Sequence, residues 1–477
     1  MESMIGIGDY LIEQILAQGV QHVFGVPGDY VLGFFKKMVD SPLQVVNTSD
    51  EQGAGFAADA YARLTGLGVV CVTYGVGGLK VVNTTAQAFA EQVPVLVISG
   101  APGTRERVKN QLLHHKSNRF DTQMKIFEQI SVATADLSDP DTALLEIDRV
   151  IEAVLRYKRP GFIEIPRDMV DYKVARLNKK PGLVKVQSEP ETLKEALQET
   201  VNKINAAKRP VILMGDECYR FGWHEQSIRF AENTQIPLAV TISGKSAVPE
   251  THPLYMGVYA GALGDEAVRD YVETSDCLIL VGALLTDVNL GIYSAHLDPS
   301  KIIFISNEKI TIAHHTYETV TAQDFLQGLL EQEIHPCVFD WKKPVLLSDS
   351  YISKTGAKIT VQRVFQQINA FLDCNMVVIS DVGDALYGAM DLVTCRSAQF
   401  LATAYYASLG FAVPASIGAQ MSNRDLRPLV LVGDGAFQMT GIELSTAARY
   451  NLNPIVVVLN NQGYGTERPI LDGPFND

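Results

Sequence analysis

At 477 residues, with 47% hydrophobic and 20% charged positions, the chain is long enough for several globular domains and too apolar to be disordered. Its formal net charge of −14 opposes phosphate backbones and anionic membranes, which excludes nucleic acid and membrane surfaces as partners and favours small-molecule ligands. The opening MESMIGIGDY lacks the basic and apolar stretches of a secretory leader, and no apolar run reaches the length of a membrane span, so a cytoplasmic location is expected. The six cysteines (71, 218, 277, 337, 374 and 395) form no C-x-x-C pair and most lie in or beside apolar runs. They are expected to be reduced core residues, not ligands or nucleophiles.

Along the chain, Leu11, Ile12, Ile15 and Leu16 form an apolar helical stripe that Gly19 stops. Short β-branched runs follow at 69–73, 94–99, 162–165, 211–214, 277–281, 302–305, 376–380, 429–432 and 455–459. Continuous apolar runs of this length predict strands buried on both faces, hence parallel sheets covered by helices. Val361, Val364, Phe365, Ile368 and Leu372 mark another helix, with Thr360 as its N-cap. The polar stretches 176–191 and 336–358 read as linkers. The expected fold is therefore α/β, with three doubly wound domains over 1–178, 190–334 and 358–477 and mainly parallel sheets.

The last of these segments carries the most informative pattern. A buried-strand signature ends in Gly433-Asp434-Gly435; a helix is expected over 442–450; a second strand signature ends in Asn460-Asn461-Gln462-Gly463. The two polar clusters are one βαβ unit apart, roughly 30 residues, so both leave the carboxyl ends of strands in one sheet, where such sheets bind ligands. A carboxylate and an amide oxygen are hard donors suited to Mg²⁺ but too few to cage it, which implies that a diphosphate completes the shell. Gly433 and Gly435 let the backbone approach those phosphates. Taken singly, G-D-G and N-N-x-G are common turns; the ordered pair after two strand signatures carries the inference.

This pattern resembles the cofactor signature of thiamine-diphosphate enzymes, and the whole chain resembles the pyruvate, indolepyruvate and branched-chain 2-keto acid decarboxylase branch. The resemblance implies pyrimidine-binding, middle and diphosphate-binding domains in that order. It implies that Asp434, Asn461 and the Gly463 carbonyl hold Mg²⁺, that Thr73, Asp384, Gly433, Gly435 and Ala436 contact thiamine diphosphate, and that Leu409 wedges the cofactor into a bent shape. Asp50-Glu51, followed by Gly55-Phe56-Ala57-Ala58-Asp59-Ala60-Tyr61-Ala62-Arg63, resembles the segment of the cofactor glutamate. Glu51 would hydrogen-bond the aminopyrimidine so that thiazolium C2 loses its proton; on its own, a carboxylate at a helix start is ordinarily a cap.

Asp29, in Gly25-Val26-Pro27-Gly28-Asp29-Tyr30, and the pair His114-His115 resemble the branch's catalytic acid and histidines. His314-His315 has no such context and is expected to be surface or core packing. Glu467, after the magnesium loop, matches a second catalytic acid; as a plain surface residue it would pair with Arg468. Asp29, His114, His115 and Glu467 would return a proton once CO₂ has left. Val382 and Leu386 stand where pyruvate-specific members carry a polar residue and a tryptophan, which points to larger apolar 2-keto acids. Family members continue past the position of Asp477 with a helical segment that closes the site. The expected activity is non-oxidative decarboxylation of a 2-keto acid to an aldehyde, in a homodimer or homotetramer whose active sites lie between subunits. A carboligase of the same fold that forms acyloins, and a non-catalytic homologue, are the alternatives.

Overall fold

The computed structural model describes residues 4–177, 186–335 and 355–466, and the chain separates into two compact units. The first comprises 1–183, 378–382 and 406–477; the second comprises 184–377 and 383–405. The last of the three segments expected from the linkers is thus shared between them.

In the first unit a six-stranded sheet runs in the order Gln44–Asn47, His22–Gly25, Gly68–Val72, Val95–Ala101, Gly161–Pro166 and Ala133–Asp136. All its pairings are parallel. Alternation along the strands sends side chains to two separate cores. Val69, Cys71, Leu96, Ile98 and Ile163 pack with Leu11 and Ile15 of helix Ile7–Ala17 and Ile147 and Val150 of helix Ala143–Tyr157. Val70, Val72, Val95, Val97 and Phe162 face the other way, onto Ala57, Ala58 and Tyr61 of helix Glu51–Thr65 and Ile417 of helix Ala412–Ser422. A sheet covered on both faces needs apolar residues at successive positions, which is why the runs read as unbroken. The two helices on the second face approach closely: a Cβ at Gly418 would lie 1.8 Å from the Ala57 carbonyl oxygen, so no other residue fits there.

The same unit holds the parallel pair Arg427–Gly433 and Ile455–Leu459, in register from Leu429 opposite Ile455 to Gly433 opposite Leu459. The strand does not run through a turn into a helix over 442–450. A helix, Asp434–Thr440, starts at once, followed by a 3₁₀ turn, Gly441–Glu443, and a short helix, Leu444–Arg449. The helix expected over 442–450 is thus present as Leu444–Arg449, and the helix before it was not foreseen.

The second unit is built on a seven-stranded sheet, Tyr255–Tyr259, Leu238–Thr241, Pro210–Met214, Cys277–Val281, Ile302–Ile305, Ile310–Ile312 and His315–Tyr317. The first four pairings are parallel and the last two antiparallel. Helix Val361–Phe371 begins at Thr360, whose hydroxyl accepts the Arg363 amide, as its sequence predicts. A buried pair, Lys245 Nζ to Glu250 Oε1 at 2.6 Å, pins the 390–394 segment: Lys245 donates to the carbonyls of Met390 and Leu392, and Glu250 accepts the Thr394 amide. One cysteine expectation is corrected. Cys374 and Cys395 form a disulfide, because the turn after Ala389 returns the chain to the start of strand Met376–Ser380. Cys71, Cys218 and Cys277 are free and buried, as expected, and Cys337 lies outside the described residues. Among the described residues, no helix is long and apolar enough to cross a membrane.

Candidate active site

Asp29, Thr73 and the histidine pair come from different loops beyond the carboxyl ends of parallel strands, and the structure brings them together. His114 Nε2 contacts Asp29 Oδ2, and His115 Nδ1 lies 3.8 Å from Asp29 Oδ1. The imidazoles meet edge to face with centroids 4.8 Å apart. Thr73 Oγ1 accepts the Tyr30 amide at 3.4 Å and lies 3.5 Å from Asp29 Oδ1. The Tyr30 ring stacks on His114 at 5.0 Å, and its hydroxyl donates to the His114 carbonyl. Partial burial pushes the Asp29 carboxyl up, but the hydrogen bond from His114 and the charge of both imidazoles outweigh it, leaving Asp29 below the usual carboxylate range.

The histidine loop is fixed from beneath. His115 takes a left-handed φ of +66°, and Gly75, at φ +68°, packs so closely that a Cβ there would sit 2.3 Å from the His115 carbonyl oxygen. The Gly75 amide donates to Gln123 Oε1 at 2.8 Å, and Gln123 Nε2 donates to the buried Ser99 and Glu164. Burial raises the Glu164 carboxyl to about 7 against the opposing charge of Arg107. The sequence offers no local signal for this support.

Glu51 opens helix Glu51–Thr65, with Asp50 as N-cap accepting the Gln52 amide at 2.9 Å. The Glu51 side chain is 12% exposed, and its Oε2 is 2.8 Å from Lys80 Nζ, which also binds Asp50. The preceding turn hangs on Glu443, whose carboxylate accepts the amides of Ser49 at 3.1 Å and Asp50 at 3.0 Å. Lys80 and Glu443 were both missed by motif reading, since each is remote in sequence from the residue it positions.

At the other motif, Asp434 is the first residue of its helix and accepts the amides of Gly435 at 3.0 Å and Gly463 at 3.1 Å. The Asn461 amide oxygen faces an Asp434 oxygen at 3.3 Å and the Gly463 carbonyl at 2.5 Å, with no donor among the three; a rotated amide would donate to both. Asp434, Asn461 and the Gly463 carbonyl thus converge on one point, and their carboxylate, amide and carbonyl groups are the kinds of hard oxygen donor that Mg²⁺ takes, so the residues fit the metal-diphosphate group. Gly433 ends its strand with open space beside it, and Ala436 is buried.

Leu409 is half-buried in a pinned loop. Ser408 accepts Asn83 Nδ2 at 2.8 Å, Thr440 donates to the Gly410 carbonyl at 2.7 Å, and Asp381 accepts the amides of Gly410 at 3.2 Å and Ala412 at 3.0 Å. Asp381 is fully buried, and burial lifts its carboxyl to about 6 despite those backbone bonds. Asp381→Asn removes one acceptor and adds an unpaired donor, so a loss of about 2 kcal/mol is expected in denaturant unfolding at pH 7. Because the folded pKa lies above the unfolded one, Asp381 makes the wild type gain stability as pH falls from about 7 towards about 4. The Asn variant should lack that gain; identical pH slopes in the two proteins would refute the role.

Val382 is half-buried, while in the second unit Leu386 is buried on helix Asp384–Ala389 and Asp384 is exposed at its start. His314 and His315 lie exposed on the second unit, with His315 Nδ1 3.0 Å from Glu199. Glu467 lies outside the described residues.

Three family descriptions match the chain in order: the thiamine pyrophosphate enzyme N-terminal TPP binding domain over 5–126, the central domain over 197–332 and the C-terminal TPP binding domain over 381–470. The chain belongs to the thiamine pyrophosphate enzyme family, whose cofactor the residues above fit. It is 35% identical to an indole-3-pyruvate decarboxylase of Azospirillum brasilense, across 99% of this chain and 86% of that protein. It is 32% identical to pyruvate decarboxylase isozyme 3 of Saccharomyces cerevisiae, across 99% and 86%, and to an alpha-keto-acid decarboxylase of Mycobacterium leprae, across 100% and 85%.

Proposed function

We propose that the protein decarboxylates a 2-keto acid without oxidation, giving an aldehyde and CO₂. The observation that carries this reading is the convergence of Asp29, His114 and His115 into one proton-exchanging cluster, in the unit that also holds Glu51 and the Asp434–Asn461–Gly463 oxygens. The relatives named above are decarboxylases of 2-keto acids, which supports it. Thiamine diphosphate supplies the electron sink that loss of a carboxylate next to a carbonyl requires. The chain's own residues do the rest. Asp434, Asn461 and the Gly463 carbonyl would hold Mg²⁺ and through it the diphosphate; Glu51 would exchange a proton with a ring nitrogen of the aminopyrimidine; Leu409 would support the cofactor's shape. Asp29 and the histidines exchange a proton with the substrate-derived carbon, with Glu467 as their partner in this reading. A homodimer is the assembly it implies, to be checked by light scattering. Chromatography of the products decides the chemistry: an aldehyde is expected, and a hydroxyketone as the main product would replace decarboxylase with carboligase.

Leu386 is the residue we assign to substrate size. A leucine in place of an indole leaves room for two or three methylenes, each worth about 0.8 kcal/mol on burial, so branched or aromatic 2-keto acids should exceed pyruvate in kcat/KM by roughly ten- to fifty-fold. Leu386→Trp should reverse the order. A wild-type preference for pyruvate in a competition assay would defeat the assignment and leave the reaction type intact.

A further inference from the structure

The Asp29–His114–His115 cluster has a second capacity. One ligand atom from each residue lies within 4.8 Å of the other two. Two imidazole nitrogens and one carboxylate are the donor set of a zinc-class ion, softer than the three oxygens at Asp434 that suit Mg²⁺. His115 Nδ1 is buried, makes no hydrogen bond and lies 3.8 Å from Asp29 Oδ1. An imidazole nitrogen held there without a donor or acceptor is poised to ligate. The contact of the Asp29 carboxylate with His114 brings both donors to one point. The loop is preset: the Gly75 contact fixes the His115 backbone, and Tyr30 stacks on the His114 ring. His114 is 61% exposed in its side chain, so an ion can enter.

We infer that Asp29, His114 and His115 form a binding site for Zn²⁺ and related transition-metal ions, separate in chemistry from the magnesium site. The ion takes the place of the hydrogen bond between His114 and Asp29. Bound there, it withholds all three groups from proton exchange. The inhibition this predicts rests on the proposed function; the binding does not.

The test uses the full chain without cofactor, titrated calorimetrically with ZnCl₂ in excess Mg²⁺. One zinc per chain is expected, and Co²⁺ in its place should give the strong visible absorption of a low-coordinate ion. His115→Ala and, separately, Asp29→Asn should each weaken zinc at least about tenfold. His315→Ala, which removes an imidazole–carboxylate contact outside the cluster, at Glu199, should change nothing. Circular dichroism identifies any variant that fails to fold, and the remaining variant then decides. Zinc affinity that survives both folded cluster variants, or that falls with His315→Ala, overturns the site. Zinc bound at the cluster without slowing turnover would instead count against the proton-exchange role and leave the metal site standing.

Discussion

Glu51→Gln should fold and bind thiamine diphosphate with Mg²⁺ close to normally, yet slow proton exchange at thiazolium C2 by roughly 10²- to 10⁴-fold. The side chain keeps its length and its place at the start of helix Glu51–Thr65, and the Asp50 cap that fixes that start is untouched. What changes is the acid–base capacity. A carboxyl group exchanges a proton with a ring nitrogen, whereas an amide offers only fixed donors and a weak acceptor. Lys80 retains Asp50 as a partner after losing the Glu51 charge, and its own half-exposed ammonium stays solvated, so unfolding should move by less than about 1 kcal/mol. Deuterium exchange at C2 in the loaded protein, read by quenched-flow NMR, checks the expectation. Near-normal exchange in the variant would remove Glu51 from the mechanism, whatever its effect on turnover.

The parallel sheets were legible because burial on both faces leaves an unmistakable trace. The runs at 277–281, 302–305, 376–380 and 455–459 coincide with observed strands to the residue. Shorter or less apolar strands were not seen: Ala133–Asp136 is partly exposed, and His22–Gly25 ends in glycine. The motif residues were legible because their chemistry needs particular atoms at the ends of particular strands. Their supports were not. Asp381 holds the Leu409 loop from one strand over, Glu443 holds the Asp50 turn across nearly the whole sequence, and Gln123 braces the histidine loop through a single backbone amide. Each acts through tertiary hydrogen bonds that satisfy buried amides, a requirement that any of several polar residues could meet and that spacing does not encode. The disulfide was missed for a related reason. Cys374 and Cys395 are 21 residues apart with no paired motif between them, and only the fold brings their backbones to 5.7 Å.

Asp434→Ala should weaken thiamine diphosphate and Mg²⁺ together, by at least about 100-fold. The carboxylate does two things in this structure. It ties the Gly463 amide to the start of helix Asp434–Thr440, and it presents an oxygen to the same point as Asn461 and the Gly463 carbonyl. Alanine removes both, so the loop loses its anchor and the ion its only charged protein ligand. Asp434→Asn separates the two effects, since the amide oxygen can still accept the Gly463 amide while the charge is gone. Asn461→Ala deletes one oxygen and leaves the anchor. If one ion joins protein and diphosphate, Mg²⁺ tightens the cofactor and the cofactor tightens Mg²⁺ by the same factor, as linkage requires. That factor should be large in the wild type, reduced in Asn461→Ala and Asp434→Asn, and close to one in Asp434→Ala. Titrating thiamine diphosphate with and without Mg²⁺ measures it without any turnover. Equal coupling in the wild type and Asp434→Ala would mean that the ion is held elsewhere, and the three converging oxygens would then be no more than a rotated amide hydrogen-bonded to its neighbours.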